Sequence, residues 1–225
     1  MRIALIGYGK MGKTIERLAK QQGHEIVLVI DRHNTSSLTT EALQRAEVAI
    51  EFTQPGSAYH NILRCFEAGI PVVSGTTGWD TQFEAARQQC IQHSATLLHA
   101  TNFSVGVNIF FAINERLAAL MEHQPQYAIG VEEVHHTEKL DAPSGTAITL
   151  ATGILQQVTR KTNWINEDTP STSEQLPIVS KRIDQVPGTH QVTYRSLIDT
   201  IDIKHTAHTR DGFAMGAILA ASNIK

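Results

Sequence analysis

The run Gly7-Tyr8-Gly9-Lys10-Met11-Gly12 constrains the fold of this chain more than any other stretch. It follows a short apolar strand pattern over residues 1–6. It opens a helical pattern with Met11, Ile15, Leu18 and Ala19 on one face. A Gly-x-Gly-x-x-Gly turn at a strand-to-helix step suits a dinucleotide. The first glycine permits the tight turn, the second lets backbone approach a pyrophosphate, and the third lets the helix pack close to the strand. The helix N-terminus then faces the anion with its positive end. A second strand pattern, Glu25 to Ile30, ends at Asp31, 19 residues after Gly12. A carboxylate there accepts hydrogen bonds from an adenosine ribose. Asp31 favours NADH, because its charge repels a 2′-phosphate, whereas Arg32 directly after it can pair with one. Use of NADH, NADPH or both is expected.

The strand–helix pattern then repeats. Strands are expected over 47–52, 70–74 and 95–99, with helices over 55–68 and 80–93. Pro55 suits the first turn of its helix. Such alternation predicts an α/β chain with a Rossmann-type, doubly wound parallel sheet. Ligands of these sheets bind beyond the carboxyl ends of the strands. Phe52-Thr53, Gly75-Thr76-Thr77 and Ala100-Thr101-Asn102-Phe103 all fall at such ends. In the second of these, Gly75 and Gly78 bracket two threonines and expose N–H groups and hydroxyls, which favours cofactor contact.

Near Asn102 the character changes. Residues 104–122 read as a long apolar helix, 127–136 as a strand and 144–159 as a helix. The polar stretch 161–175 reads as a surface loop. Three strand-like runs follow, over 176–185, 189–196 and 200–207, with a Pro187-Gly188 turn signal between the first two. Strands in succession predict a second, α+β domain with a mixed or antiparallel sheet. A helix over 211–221 is expected to return to the first domain. The predicted organisation is a dinucleotide-binding domain over 1–102, completed by 208–225, and a substrate-binding and oligomerisation domain over 103–207.

The strand over 127–136 leads into the densest chemistry of the chain. His135, His136 and Lys139 stand just before Pro143-Ser144-Gly145-Thr146. Ser144 is a good N-cap, so the N–H groups of Gly145 and Thr146 are placed to receive a carboxylate. A histidine, with an unperturbed pKa of about 6.5, donates protons near neutral pH. Adjacent histidines on a strand alternate faces, so one is fitted to act as acid and the other to bind substrate. Lys139 adds a fixed positive charge, and Glu133 or Asp141 can orient either donor. A metal site is not expected, because no third ligand is spaced to join His135 and His136. His205 and His208 read as solvated or structural.

The remaining composition excludes other classes. A net charge of −3 and a pI near 6.4 argue against a dedicated nucleic-acid binder. Cys65 and Cys90 lack metal-ligand spacing. No leader pattern and no apolar run of the roughly 18 residues that span a bilayer is visible. A cytoplasmic chain with no membrane or nucleic-acid partner is expected.

The stretch Glu133-Val134-His135-His136-Thr137-Glu138-Lys139-Leu140-Asp141-Ala142-Pro143-Ser144-Gly145-Thr146-Ala147 resembles the signature of the 4-hydroxy-tetrahydrodipicolinate reductase family, also called dihydrodipicolinate reductases. Gly75-Thr76-Thr77-Gly78 and Asn102-Phe103-Ser104-Val105-Gly106-Val107-Asn108 are similar to that family's cofactor turn and interdomain segment. The resemblance implies NAD(P)H-dependent reduction of 4-hydroxy-tetrahydrodipicolinate, a small dicarboxylate, on the route to diaminopimelate and lysine. It implies His135 as proton donor and acceptor and Lys139 as a second donor, with His136, Gly145 and Thr146 binding substrate. Gly7, Tyr8, Gly9, Lys10, Met11 and Gly12, with Asp31 and Arg32, would hold the cofactor together with Gly75, Thr76 and Thr77 and with Ala100, Thr101, Asn102 and Phe103. A homotetramer assembled through the C-terminal sheets is implied as well. The glycine turn is more compact than the longer version common in the family. Other two-domain oxidoreductases share the first half but need not carry the His-His-x-x-Lys and Ser-Gly-Thr constellation.

Overall fold

Ile3, Ala4, Leu5 and Ile6 are buried without interruption, as a strand covered on both faces must be. They belong to β1 (Arg2–Ile6), which is followed by α1 (Lys10–Gln21), β2 (Glu25–Ile30) and a four-residue helix, α2 (Thr40–Leu43). Then come β3 (Val48–Glu51), α3 (Pro55–Glu67), β4 (Val72–Ser74), α4 (Phe83–Gln92) and β5 (Leu97–His99). The computed structural model describes residues 1–209 and 211–224. Its first sheet is parallel throughout, in the order β2-β1-β3-β4-β5. Alternate residues of β1 feed opposite cores. Ala4 and Ile6 pack with Ile62, Phe66 and Ala86 of α3 and α4. Ile3 and Leu5 pack with Ile15 and Leu18 of α1 and with Ala214, Ala217 and Ile218 of the closing helix, α7 (Asp211–Asn223). Met1–Ser104 and the C-terminal segment holding that helix form one compact unit, and Val105–Thr209 forms the other. Of the expected closing segment, Arg210 and Lys225 lie outside the described residues.

The second unit holds α5 (Val105–Met121), β6 (Ala128–His135), α6 (Gly145–Gln157), β7 (Asn163–Ile165), β8 (Gln175–Arg182), β9 (Gly188–Arg195) and β10 (Thr200–Ala207). Its sheet is mixed, in the order β10-β9-β6-β8-β7. Two details depart from the sequence expectation or go beyond it. Part of the loop over 161–175 forms β7, which pairs in parallel with β8. Lys161 fastens this segment by donating to Ser173 O at 2.7 Å and Gln175 O at 2.8 Å. Second, the Pro187-Gly188 turn signal, for which the sequence specifies no pairing, joins two strands that are not neighbours, because β6 lies between β8 and β9. Val131 of β6 is in register with Ile178 on one side and Val192 on the other. Phe110, Ala118, Leu150 and Ile154 of α5 and α6 cover that apolar face. Among the described residues, no helix is long and apolar enough to cross a membrane.

Candidate active site

The glycines of the first turn divide into two kinds. A Cβ on Gly7, which sits at φ +101°, would meet Phe52 O at 1.9 Å, and one on Gly12 would meet Gly7 O at 2.1 Å. The fold itself excludes side chains there. Gly9 is exposed, and nothing lies within 4 Å of an added Cβ. That open backbone stands at the start of α1, whose N-terminus has no side-chain cap and no acid in its first turn. An uncompensated positive end beside open space fits a pyrophosphate. Tyr8, Lys10 and Met11 border the turn. The Tyr8 hydroxyl donates to Glu16, and Lys13 Nζ lies 5.7 Å from the Tyr8 ring centre. Beyond β2, Asp31 Oδ1 accepts from His33 N at 2.7 Å, and Asp31 N donates to Asn34 Oδ1 at 2.7 Å. The carboxylate is therefore oriented by its own turn. Arg32 is exposed, and its Nε donates to His33 Nε2 at 3.0 Å.

A buried acid organises the next two turns. Glu51, at the end of β3, has no exposed surface. Ser74 Oγ donates to its Oε2 at 2.7 Å, Thr76 Oγ1 to its Oε1 at 2.9 Å, and Thr53 Oγ1 also to Oε1. Thr53 N donates to Thr76 Oγ1 at 2.7 Å. The Thr76 hydroxyl is thus engaged inside the protein, and the exposed threonine of that turn is Thr77. In the following segment, Ala100 N donates to Ser74 O at 3.2 Å, Thr101 is exposed, and Asn102 Oδ1 accepts from Ser104 N at 2.8 Å. The Phe103 ring lies in the core beside α1 and α7. Glu51→Gln replaces one acceptor oxygen with a donor that faces hydroxyl groups. We expect it to cost about 1–3 kcal/mol and to weaken NADH binding, read as a lower urea midpoint and a raised Kd. An unchanged midpoint would show that the carboxylate is not the shared acceptor.

In the second unit, the buried face of the sheet changes chemistry along its length. On β6 the inward positions run Ile129, Val131, Glu133, His135; on β9, Tyr194, Val192, His190, Gly188; on β8, Leu176, Ile178, Ser180, Arg182. Register places Glu133 opposite Ser180 and His190, and His135 opposite Arg182. The apolar end makes the core, and the other end gathers ionisable groups. Glu133 Oε1 accepts from Ser144 N at 3.1 Å and from Arg182 Nη2 at 3.3 Å. Its Oε2 faces His135 Nδ1 at 3.3 Å and His190 Nε2 at 3.7 Å, ion-pair distances rather than aligned hydrogen bonds. Burial pushes the Glu133 carboxyl up, but the His135, Ser144 and Ser180 side chains outweigh it and hold the group well below the usual carboxylate range.

Burial pushes His190 down to about 3, with the neighbouring His135 acting in the same direction. In the unfolded chain His190 titrates near 6.5. Below that pH the unfolded state binds the proton more readily. Stability is therefore present above about pH 6.5 and is lost as pH falls toward 3, by up to about 1.4 kcal/mol per pH unit. Glu133, held low, acts in the same sense further down. Urea midpoints should be flat above pH 7 and fall steeply below pH 6; a flat profile from pH 7 to pH 4 would show that folded His190 carries the proton.

The other expected residues lie just beyond β6. Strand geometry stops at His135, so His136 lies in the following turn, where its carbonyl accepts from Lys139 N at 3.1 Å. Lys139 Nζ donates to both Asp141 oxygens at 2.8 Å. The two carboxylates thus divide their work, Glu133 with His135 and Asp141 with Lys139. Ser144 caps α6 as expected, its Oγ accepting from Ala147 N at 3.2 Å. Gly145 is exposed at the helix start, with open space around it, and Thr146 follows, half-buried.

Sequence reasoning missed Glu51, Arg182 and His190. A signal was present for Glu51, the one ionisable residue of an otherwise apolar strand, and for His190 and Arg182, which share the alternating phase of the apolar positions on β9 and β8. His190 also supplies the third group that the spacing argument against a metal overlooked. Glu133, His135 and His190 bring ligand atoms within 4.8 Å of one another. The Arg182 guanidinium on the same carboxylate opposes a cation there.

A parallel five-stranded sheet with a glycine cradle, followed by a mixed-sheet unit, defines a dinucleotide-dependent oxidoreductase of two units. Residues 1–103 match the family described as dihydrodipicolinate reductase, N-terminus, and residues 106–225 match dihydrodipicolinate reductase, C-terminus. The 4-hydroxy-tetrahydrodipicolinate reductase of Christiangramia forsetii is 45% identical over 100% of this chain and 92% of its own. That of Staphylococcus haemolyticus is 32% identical over 100% and 95%. A dipicolinate-bound dihydrodipicolinate reductase from Paenisporosarcina has the same fold, with a TM-score of 0.77 at 23% identity over 99% of this chain and 93% of that one. The chain belongs to the dihydrodipicolinate reductase family, whose members are NADH- or NADPH-dependent oxidoreductases.

Proposed function

We infer that this chain reduces 4-hydroxy-tetrahydrodipicolinate to tetrahydrodipicolinate with NADH or NADPH, in the biosynthesis of diaminopimelate and lysine. The observation that carries this reading is the buried Glu133–His135 pair at the end of β6, followed by the Lys139–Asp141 pair and the start of α6. It stands in a chain that also has an open glycine cradle at Gly9. In the net reaction the substrate gains a hydride and a proton and loses its 4-hydroxyl as water. A bound nicotinamide cofactor supplies the hydride. His135 delivers the proton to the reduced ring, and Glu133 stabilises the charged form of the imidazole. Lys139, held by Asp141, is the second donor. His136 and the amides of Gly145 and Thr146 take the substrate carboxylates, for which an α-helix start is suited. The Gly7–Gly12 turn, Asp31 and Arg32, the Gly75–Thr77 turn and the 100–103 segment hold the cofactor, with Thr76 and Phe103 acting from the interior.

The dipicolinate bound by the Paenisporosarcina relative is itself a small dicarboxylate, which supports that substrate class here. This reading includes a homotetramer assembled through the second unit, supported by the tip between β9 and β10, where Leu197 and Ile198 are 107% and 91% exposed. Light scattering on the purified protein tests it. The free thiols Cys65 and Cys90 accord with a cytoplasmic enzyme.

The deciding experiment mixes the protein with freshly generated condensation product of pyruvate and aspartate semialdehyde, adds NADH or NADPH, and follows absorbance at 340 nm. Steady oxidation is expected. Cofactor binding without oxidation would replace this reading with a non-catalytic dinucleotide sensor.

A further inference from the structure

His190 stands outside the motif that marks this chain, 55 residues beyond His135. Yet it is set directly against that residue. β9 runs antiparallel to β6 with His190 opposite Glu133, so both side chains point to the helix-covered face. The His135 and His190 rings meet edge to face, with centroids 5.0 Å apart and planes at 72°. His190 Nε2 lies 3.2 Å from Ser144 Oγ and 3.7 Å from Glu133 Oε2. At Gly188 an added Cβ would come 3.1 Å from His135 Nε2, so the backbone of the same strand also packs against the His135 ring.

We propose that His190 is a positioning residue for the reduction: it holds the His135 imidazole against Glu133, so that the proton is delivered from one fixed ring orientation. This rests on the reading of His135 as proton donor. Ser144 explains why a histidine fits here. Its Oγ accepts from Ala147 N and lies 3.2 Å from His190 Nε2, so in the tautomer with the proton on Nδ1 its O–H donates to His190 Nε2. That arrangement leaves Glu133 Oε2 to His135 alone.

The charged and titratable groups around His190 come from every neighbouring element. Glu133 and His135 lie on β6, Lys139 in the turn after it, Arg182 on β8 and His205 opposite on β10. Most are cationic or able to become so, and burial keeps His190 neutral among them. A second imidazolium would repel a protonated His135 and compete for the single negative charge of Glu133.

The test compares wild type with His190→Phe, which keeps a ring but has no nitrogen, and His190→Asn, which keeps a polar partner for Ser144. With His190→Phe, kcat should fall roughly ten-fold or more, as a misaligned donor does. The pH profile of kcat/KM should be displaced while the Kd for NADH stays unchanged, and His190→Asn should recover part of the loss. A folded His190→Phe with wild-type kcat and pH profile overturns the proposal. So does a fall in kcat, KM and NADH affinity together with an unmoved profile, which marks a merely structural role. If His190→Phe does not fold, imidazole nitrogen spectra of wild type decide. The His190 ring should stay neutral from about pH 8 to about pH 5, and titration across that range overturns the proposal. Failure of wild type to oxidise NADH or NADPH with the condensation product would overturn the functional reading itself and the proposal with it.

Discussion

His135→Gln should lower kcat by roughly 100- to 1,000-fold, the range expected when a positioned general acid is lost, while NADH affinity stays at the wild-type value. The amide side chain can still donate toward Glu133, so the buried carboxylate keeps a partner and the fold survives. What it cannot do is give up a proton near neutral pH. Single-turnover measurement of NADH oxidation, beside a fluorescence titration of NADH binding, separates the two effects. Equal losses in turnover and cofactor affinity would make His135 a structural residue and move the proton donor elsewhere, with Lys139 the next candidate.

The second large effect contrasts two glycines of one turn. Gly7→Ala should destabilise the first unit by roughly 3 kcal/mol or more, combining about 1–2 kcal/mol for an unfavourable positive φ with about 1–3 kcal/mol for overpacking. The new Cβ would have to displace Phe52 O, 1.9 Å away, and that carbonyl belongs to the turn after β3. Gly9→Ala meets nothing within 4 Å, so its urea midpoint should match wild type. Its NADH affinity should nevertheless fall at least ten-fold, about 1.4 kcal/mol, because in the proposed cofactor site the methyl group takes up space that the pyrophosphate would fill. Normal NADH binding by Gly9→Ala would place the phosphates elsewhere. A stable Gly7→Ala would mean that the turn relaxes more readily than its geometry indicates.

The legible part of this protein was local. Gly-x-Gly-x-x-Gly between an apolar strand and an amphipathic helix specifies its own turn, because the steric demands of Gly7 and Gly12 arise within one strand–turn–helix step and its adjoining strand. Ser144 after Pro143 likewise announced the cap of α6, since an N-cap is a contact between residues three apart. The alternation of strands and helices was enough for a doubly wound sheet. A short strand such as β7 escaped because three polar-flanked residues carry no periodic signal and gain strand geometry only from β8 beside them. The separation of β8 from β9 escaped for a related reason. Pro187-Gly188 reads as a turn whether or not the strands on either side of it pair.

For the site, the chain alone showed which groups are on offer: an open glycine turn at one helix start, paired histidines, a lysine and a second helix start capped by Ser144. Tertiary structure decided which groups cooperate. It gave Glu133 to His135 and Asp141 to Lys139, withdrew the Thr76 hydroxyl to Glu51, and set His190 against His135. The physical reason is that a charged group takes its character from neighbours within a few ångströms. In a mixed sheet those neighbours come from strands far apart in sequence, brought together by register that an isolated segment does not encode.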